Sequence, residues 1–304
     1  MTITFADDVA DALRAGAPVV ALESTLICHG FPPPDNLEVA LEIEAAVRAN
    51  GAVPATIAVL GGQMKVGLSQ DELRRLAQTP EAAKCTTRDL PLALARGGSG
   101  ATTVAATLAV AAKAGIEVMA TGGLGGVHQG GEHSLDVSAD LEQLARSRLA
   151  VVCSGAKSIL DLPRTMERLE SLGVALVGYG CDELPGFYST GSGLPVPRVD
   201  GVACLCRLFE AHRDLGLAGA LVIAQLPPAD AAMDGSAVDR LVAGARKAAR
   251  AAGIRGPTET PFMLRWMADE SGGATVRVNR ALVRQNAALA ARIADGLAQR
   301  ARSA

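Results

Sequence analysis

Val151-Val152-Cys153-Ser154-Gly155-Ala156-Lys157-Ser158-Ile159-Leu160-Asp161-Leu162 carries the pattern that decides the fold. A run of small and apolar residues reaches a glycine turn, and a helix-like spacing continues from Ser158 through Leu162 to Met166. This reads as a buried strand passing through a tight turn into a helix. Similar units lie on either side. Residues 19–22, 56–60, 116–120, 149–152, 174–177 and 218–224 are apolar runs of strand length. Between them, Asn36 opens a helix that Gly51 ends, Ser69 caps a short helix, and Ser99-Gly100 opens an alanine-rich helix stopping near Gly115. From Ala231 onward the chain reads as mostly helical, with a long amphipathic helix over residues 279–301. Strand, loop and helix in alternation predict a single three-layer α/β/α domain over residues 1–304. It has a largely parallel central sheet and a helical C-terminal region. Ligands of such sheets bind beyond the carboxyl ends of the strands, so the glycine-rich loops are expected on that rim.

Composition narrows the classes. Of 304 residues, 49% are hydrophobic and only 3% aromatic, so the core is built from Ala, Val, Leu and Ile. The net charge of −3 comes with dispersed basic residues, which leaves no electrostatic footprint for nucleic acid. The start, Met1-Thr2-Ile3-Thr4-Phe5-Ala6-Asp7-Asp8, lacks the basic and apolar regions of a secretion signal, and no apolar run has membrane-crossing length. Cys28, Cys85, Cys153, Cys181, Cys204 and Cys206 form no Cys-x-x-Cys pair, which suits reduced thiols in a cytoplasmic protein.

Some residues stand out for chemistry. Lys157 sits on the strand-to-helix turn with little polar cover. Burial or a helix dipole lowers a lysine's pKa, and the free amine can form a Schiff base with a carbonyl. The competing reading is a surface lysine with its ammonium in water. Glu23 ends the first apolar strand, where burial raises a carboxylate toward a general acid; a salt-bridged or capping glutamate is the alternative. Gly97-Gly98-Ser99-Gly100-Ala101-Thr102-Thr103-Val104 is a glycine-rich loop feeding a helix start, suited to phosphate but lacking the Walker lysine. Lys84 is placed to meet a phosphate or to lie on the surface. Asp136 and Asp140 offer hard oxygen ligands for Mg²⁺ or Mn²⁺, with waters completing the shell. Ser138 caps the helix that begins near Asp140. His128 and His133 lack zinc-helix spacing and read as loop hydrogen-bonders.

Taken together the chain resembles the pseudouridine-5′-phosphate glycosidase family, which includes proteins named after indigoidine synthase A. The likeness runs from about Val20 to Gly296. It rests on Ala21-Leu22-Glu23-Ser24-Thr25 with His29-Gly30, Gly51-Ala52-Val53-Pro54-Ala55-Thr56-Ile57, Gly100-Ala101-Thr102-Thr103-Val104, Ala120-Thr121-Gly122-Gly123-Leu124-Gly125-Gly126-Val127-His128, Asp136-Val137-Ser138-Ala139-Asp140-Leu141 and Gly155-Ala156-Lys157-Ser158-Ile159-Leu160-Asp161, in that order. The resemblance implies reversible cleavage of the C–C bond between uracil C5 and ribose C1′ of pseudouridine 5′-phosphate, giving uracil and ribose 5-phosphate. It implies Lys157 as the nucleophile, Glu23 as the proton donor and Asp136 as a ligand of one Mn²⁺ per subunit. Lys84, Val104, Ser138, Ala139, Asp140 and His128 would bind the substrate, in a homotrimer.

A C-glycosidic bond has no leaving oxygen or nitrogen to protonate, so the two-carboxylate scheme of ordinary glycosidases offers little. An imine at C1′ provides the missing electron sink. The alternatives are a Schiff-base lyase or aldolase on another sugar phosphate, and a non-catalytic sugar-phosphate-binding protein. The sequence departs from the family pattern at Cys28, at Ala224-Gln225-Leu226-Pro227-Pro228, at Tyr188-Ser189-Thr190-Gly191-Ser192-Gly193 and near the start of Gly256-Pro257-Thr258-Glu259-Thr260-Pro261-Phe262. These departures bear on base recognition and the pocket rim more than on the reaction class.

Overall fold

The computed structural model describes residues 3–79 and 81–303; Met1 and Thr2, at the start of the segment read for a secretion signal, lie outside them. The strands are β1 (Ile3–Phe5), β2 (Val19–Leu22), β3 (Val53–Leu60), β4 (Gln63–Val66), β5 (Ala83–Cys85), β6 (Gly100–Thr102), β7 (Val118–Ala120), β8 (Ala150–Cys153), β9 (Ala175–Tyr179), β10 (Arg198–Val199) and β11 (Leu221–Gln225). The helices are α1 (Asp7–Arg14), α2 (Asp35–Ala49), α3 (Gln70–Ala77), α4 (Leu90–Ala95), α5 (Val104–Ala114), α6 (Gly131–Ser134), α7 (Ala139–Leu144), α8 (Leu162–Ser171), α9 (Val202–Asp214), α10 (Gly235–Ala251), α11 (Glu259–Glu270) and α12 (Ala274–Ser303).

The sheet runs β1-β4-β3-β2-β7-β8-β11-β9-β10, with β6 on β3 and β5 on β6. From β3 to β10 every pairing on that path is parallel. Both faces are covered, so these strands are apolar throughout rather than alternating with polar residues. The pleat still sorts their side chains. Val20 and Leu22 of β2, with Ala150 and Val152 of β8, join the core under α2, α9 and α12. Val19 and Ala21, with Val151 and Cys153, join the core under α1, α5, α7 and α8. The result is the three-layer α/β/α arrangement expected from the sequence, with the C-terminal helices in one layer.

Two local readings change. Residues 100–102 form β6 rather than the first turn of a helix. The Ser24 hydroxyl accepts the Thr102 N–H at 2.8 Å, and the Thr102 hydroxyl donates to the Ile57 carbonyl at 2.6 Å, which keeps this segment extended. The helix begins at Val104, capped by Thr103. Because β6 runs antiparallel to β3, its end delivers Thr103 and Val104 to the central rim while Gly97-Gly98-Ser99 stays outside. Lys84 lies within the short strand β5 rather than just before a helix. No helix among the described residues is long and apolar enough to cross a membrane.

Candidate active site

A cavity of about 600 Å³ opens at the carboxyl ends of the central strands. Its lining includes all nine residues that the resemblance assigns to the site: Glu23, Lys84, Val104, His128, Asp136, Ser138, Ala139, Asp140 and Lys157. The topology explains the convergence. Glu23 follows β2, the Thr121–Val127 segment follows β7, and Lys157 follows β8; these strands are adjacent and parallel.

One turn holds both reactive candidates. After β7 the chain passes through Thr121, Gly122 and Gly123. The Thr121 hydroxyl donates to one Glu23 carboxylate oxygen, and Thr25 donates to the other. The Gly123 carbonyl accepts a hydrogen bond from Lys157 Nζ at 3.0 Å. Acid and amine therefore hang from residues two apart. The turn is tied to α12 in turn. Asn286, fully buried, donates to the Thr121 carbonyl at 2.9 Å and contacts the Ser154 hydroxyl at 3.1 Å. Its own carbonyl accepts from Gln225 at 3.0 Å. Gln225, one of the departures from the family pattern, is thus a buried structural partner; it does not line the cavity.

Lys157 reaches the cavity because the chain doubles back at Gly155. This glycine has φ +81°, and a Cβ there would meet the Pro185 carbonyl oxygen at 2.4 Å. Backbone bonds then pin the next residues: Lys157 N–H donates to the Leu124 carbonyl at 3.0 Å. The helix α8 starts at Leu162, capped by Asp161, four residues later than the spacing around Ser158 suggests.

Asp140 behaves differently from a metal ligand. Its two carboxylate oxygens accept the Ala105 N–H at 2.9 Å and the Gly125 N–H at 2.8 Å, so they lace α5 and the β7 loop to α7. The close approach needs glycine at position 125, where a Cβ would lie 2.2 Å from the Ser138 hydroxyl. Ser138 caps α7, as its position suggested. A group that could hold a metal ion lies beside it: His128, Asp136 and Glu259 each bring one ligand atom within 4.8 Å of the others. One imidazole nitrogen and two carboxylates fit a divalent first-row ion.

Charge in the cavity is concentrated. Burial pulls Lys84 below the ordinary lysine range, and the neighbouring Lys157 adds to this; Asp140 and Glu23 oppose it. His29 is lowered by burial and by Lys84, against a hydrogen bond to the Ala82 backbone. Its Nε2 is buried without a partner. His29 sits in a π-helical turn, Leu26–Gly30, of a kind enriched at functional sites.

Thr121, His29, Phe187, Asn279 and Glu259 were not identified individually from the sequence as site residues, though all but Thr121 and Glu259 line the cavity. Thr121 and His29 lie within quoted motifs and Glu259 within a segment noted for departing from the family pattern; Phe187 and Asn279 come from distant segments with no local signal. Phe187 has φ +66°, and its ring lies where a side chain at Gly123 would stand. Cys28 packs with the α3 side of α2, its thiol against the Leu76 carbonyl, and lies off the cavity lining.

The chain is similar throughout to known proteins. It is 55% identical over 293 residues to a pseudouridine-5′-phosphate glycosidase of Rhodospirillum centenum, covering 96% of this chain and 91% of that one. It is 50% identical to the protein of the same name from a Nocardioides species, covering 96% and 95%. The crystal structure of the prealnumycin C-glycosynthase AlnA in complex with ribulose 5-phosphate superposes with a TM-score of 0.92 at 38% identity, covering 100% and 99%. An indigoidine synthase A-like protein of Thermotoga maritima gives 0.89 at 34%, covering 98% and 97%. Residues 8–296 match the family model described as indigoidine synthase A like protein, and the chain belongs to that family.

Proposed function

We propose that this protein is a pseudouridine-5′-phosphate glycosidase that works through a Schiff base on Lys157, as one domain spanning the chain. The observation that carries the reading is the shared turn: the Glu23 carboxylate and the Lys157 amine line one cavity and are held by Thr121 and Gly123. Relatives named for this activity, and a structural neighbour bound to ribulose 5-phosphate, support a sugar-phosphate substrate.

In this reading Lys157 Nζ bonds to C1′ as the C1′–O4′ bond opens and O4′ takes a proton. Glu23 gives a proton to C5 of the base. The C1′–C5 bond then breaks, its electron pair leaving with uracil, while the nitrogen lone pair forms C=N to C1′. Water adds to the imine and releases ribose 5-phosphate and the free amine. The reverse sequence builds the C–C bond. Lys84, with the Val104 N–H at the start of α5, faces the phosphate. Ser138, Ala139, Asp140 and His128 shape the wall against the sugar.

Asp136, with His128 beside it, would hold Mn²⁺. When bound, the ion supplies positive charge that orients phosphate and water. A cytoplasmic, homotrimeric protein completes the proposal; six cysteines all free as thiols agree with a reducing compartment. Sedimentation at a three-chain mass checks the assembly.

The test of function is incubation with pseudouridine 5′-phosphate and Mn²⁺, with chromatography for uracil. Absence of uracil removes the proposal. Borohydride trapping with ribose 5-phosphate, followed by peptide mapping, is expected to place the adduct on Lys157; an adduct elsewhere removes the mechanism.

A further inference from the structure

We propose that Glu259 is a third protein ligand to the divalent cation, and that the cation clasps α11 to the loop before α7. The inference rests on the reading of Asp136 as a metal ligand and adds to it a second anchoring element.

The three donors come from separate parts of the chain. His128 lies in the loop after β7, Asp136 lies before α7, and Glu259 opens α11. Each is half-buried, and their ligand atoms converge within 4.8 Å. Among the described residues, the side chains of these three make no hydrogen bond or salt bridge. Arg246 feels the field of Glu259 but forms no ion pair with it. Two half-buried carboxylates held together without a bonded cation repel each other, and a divalent ion between them removes that repulsion. The mixed donor set of one imidazole and two carboxylates favours Mn²⁺ or Fe²⁺ over Mg²⁺. Three protein ligands leave the other coordination positions to water or to oxygens of the substrate.

The position of Glu259 gives the ion a mechanical role. Thr260, Pro261 and Leu264 of the same helix form one wall of the cavity. A cation bound to Glu259 therefore fastens this wall to the loop that carries His128 and Asp136. The chain's only tryptophan, Trp266, sits on the same helix, its ring against Gly244 of α10.

The experiment titrates the full-length protein with MnCl₂ and reads free Mn²⁺ by electron paramagnetic resonance, comparing wild type, Glu259→Gln and Asp136→Asn. Circular dichroism checks that each variant is folded. Glu259→Gln is expected to weaken Mn²⁺ binding about tenfold or more. Amide hydrogen exchange in α11 is expected to slow on Mn²⁺ addition in wild type and to stay unchanged in Glu259→Gln. If Glu259→Gln binds Mn²⁺ as tightly as wild type while Asp136→Asn does not, the clasp is wrong and the Asp136 reading stands. If wild type binds no Mn²⁺, both are wrong.

Discussion

Replacing Asn286 with alanine should cost both stability and turnover, and the size of the loss follows from its bonds. Asn286 lies at 0% exposure in the middle of α12. Its loss leaves the Thr121 carbonyl, the Gln225 amide and the buried Ser154 hydroxyl without their partners, whereas the Gly122 carbonyl keeps the Ser154 N–H at 2.9 Å. Three orphaned buried groups at about 1–3 kcal/mol each place the destabilisation at about 3 kcal/mol or more. That is a large share of the 5–15 kcal/mol typical of a domain, so the variant should fold but unfold at a lower urea midpoint. Because the freed Thr121–Gly123 turn carries both Glu23 and Lys157, kcat for uracil release should also fall, with KM changing less. Urea unfolding followed by Trp266 fluorescence gives the first number and steady-state kinetics the second. A change below about 1 kcal/mol would show that the buried polar contacts are not holding the turn. A full loss of stability with unchanged kcat would show that the turn does not position the reactive pair.

Other outcomes follow from the same geometry. Lys157→Ala should abolish uracil release while leaving circular dichroism and the thermal midpoint near wild type; retained turnover would refute its role as nucleophile. Glu23→Gln should lower kcat about 10²- to 10⁴-fold yet still permit borohydride trapping with ribose 5-phosphate, and loss of trapping would assign Glu23 a different task. Glu44 is raised above its ordinary value by burial, against hydrogen bonds from Thr56 and Arg48. A carboxyl raised on folding contributes stability that is fully present below its unfolded pKa, about 4.3, and is lost as pH rises through the folded value. Wild type should therefore lose stability as pH rises above about 4 that Glu44→Gln does not lose, measured as urea midpoints across a pH series. Parallel curves for the two proteins would contradict this.

The central strands were legible in the sequence because β2, β7, β8 and β11 are buried on both faces and so read as unbroken apolar runs. Helix starts with a side-chain cap were legible at Ser69 and Ser138. By contrast, β1, β5, β6 and β10 have two or three residues each and owe their extended state to neighbours. Residues 100–102 illustrate this: glycine and a capping-type residue suggest a helix start, but bonds to Ser24 and Ile57, far away in sequence, decide for a strand. Of the site, Glu23 and Lys157 were recognisable because each follows a buried strand, β2 and β8. Asp140 offered hard oxygens by its type, but that its carboxylate accepts the Ala105 and Gly125 N–H groups could not be known from spacing. Asn286 carries no local mark, and Glu259 sits in a segment noted only for departing from the family pattern; their places appear when α11 and α12 pack over the rim.

The turn that holds Glu23 and Lys157 has a consequence for how this cavity tolerates change. Both groups are referenced to the same three residues, so any tilt of the β7 end carries them as a unit and preserves their separation. Alterations in the outer layer should then shift how a substrate is presented to the pair, without detuning the pair itself. Such a scaffold lets the surrounding walls drift toward new acceptors while the bond-breaking apparatus travels along unchanged.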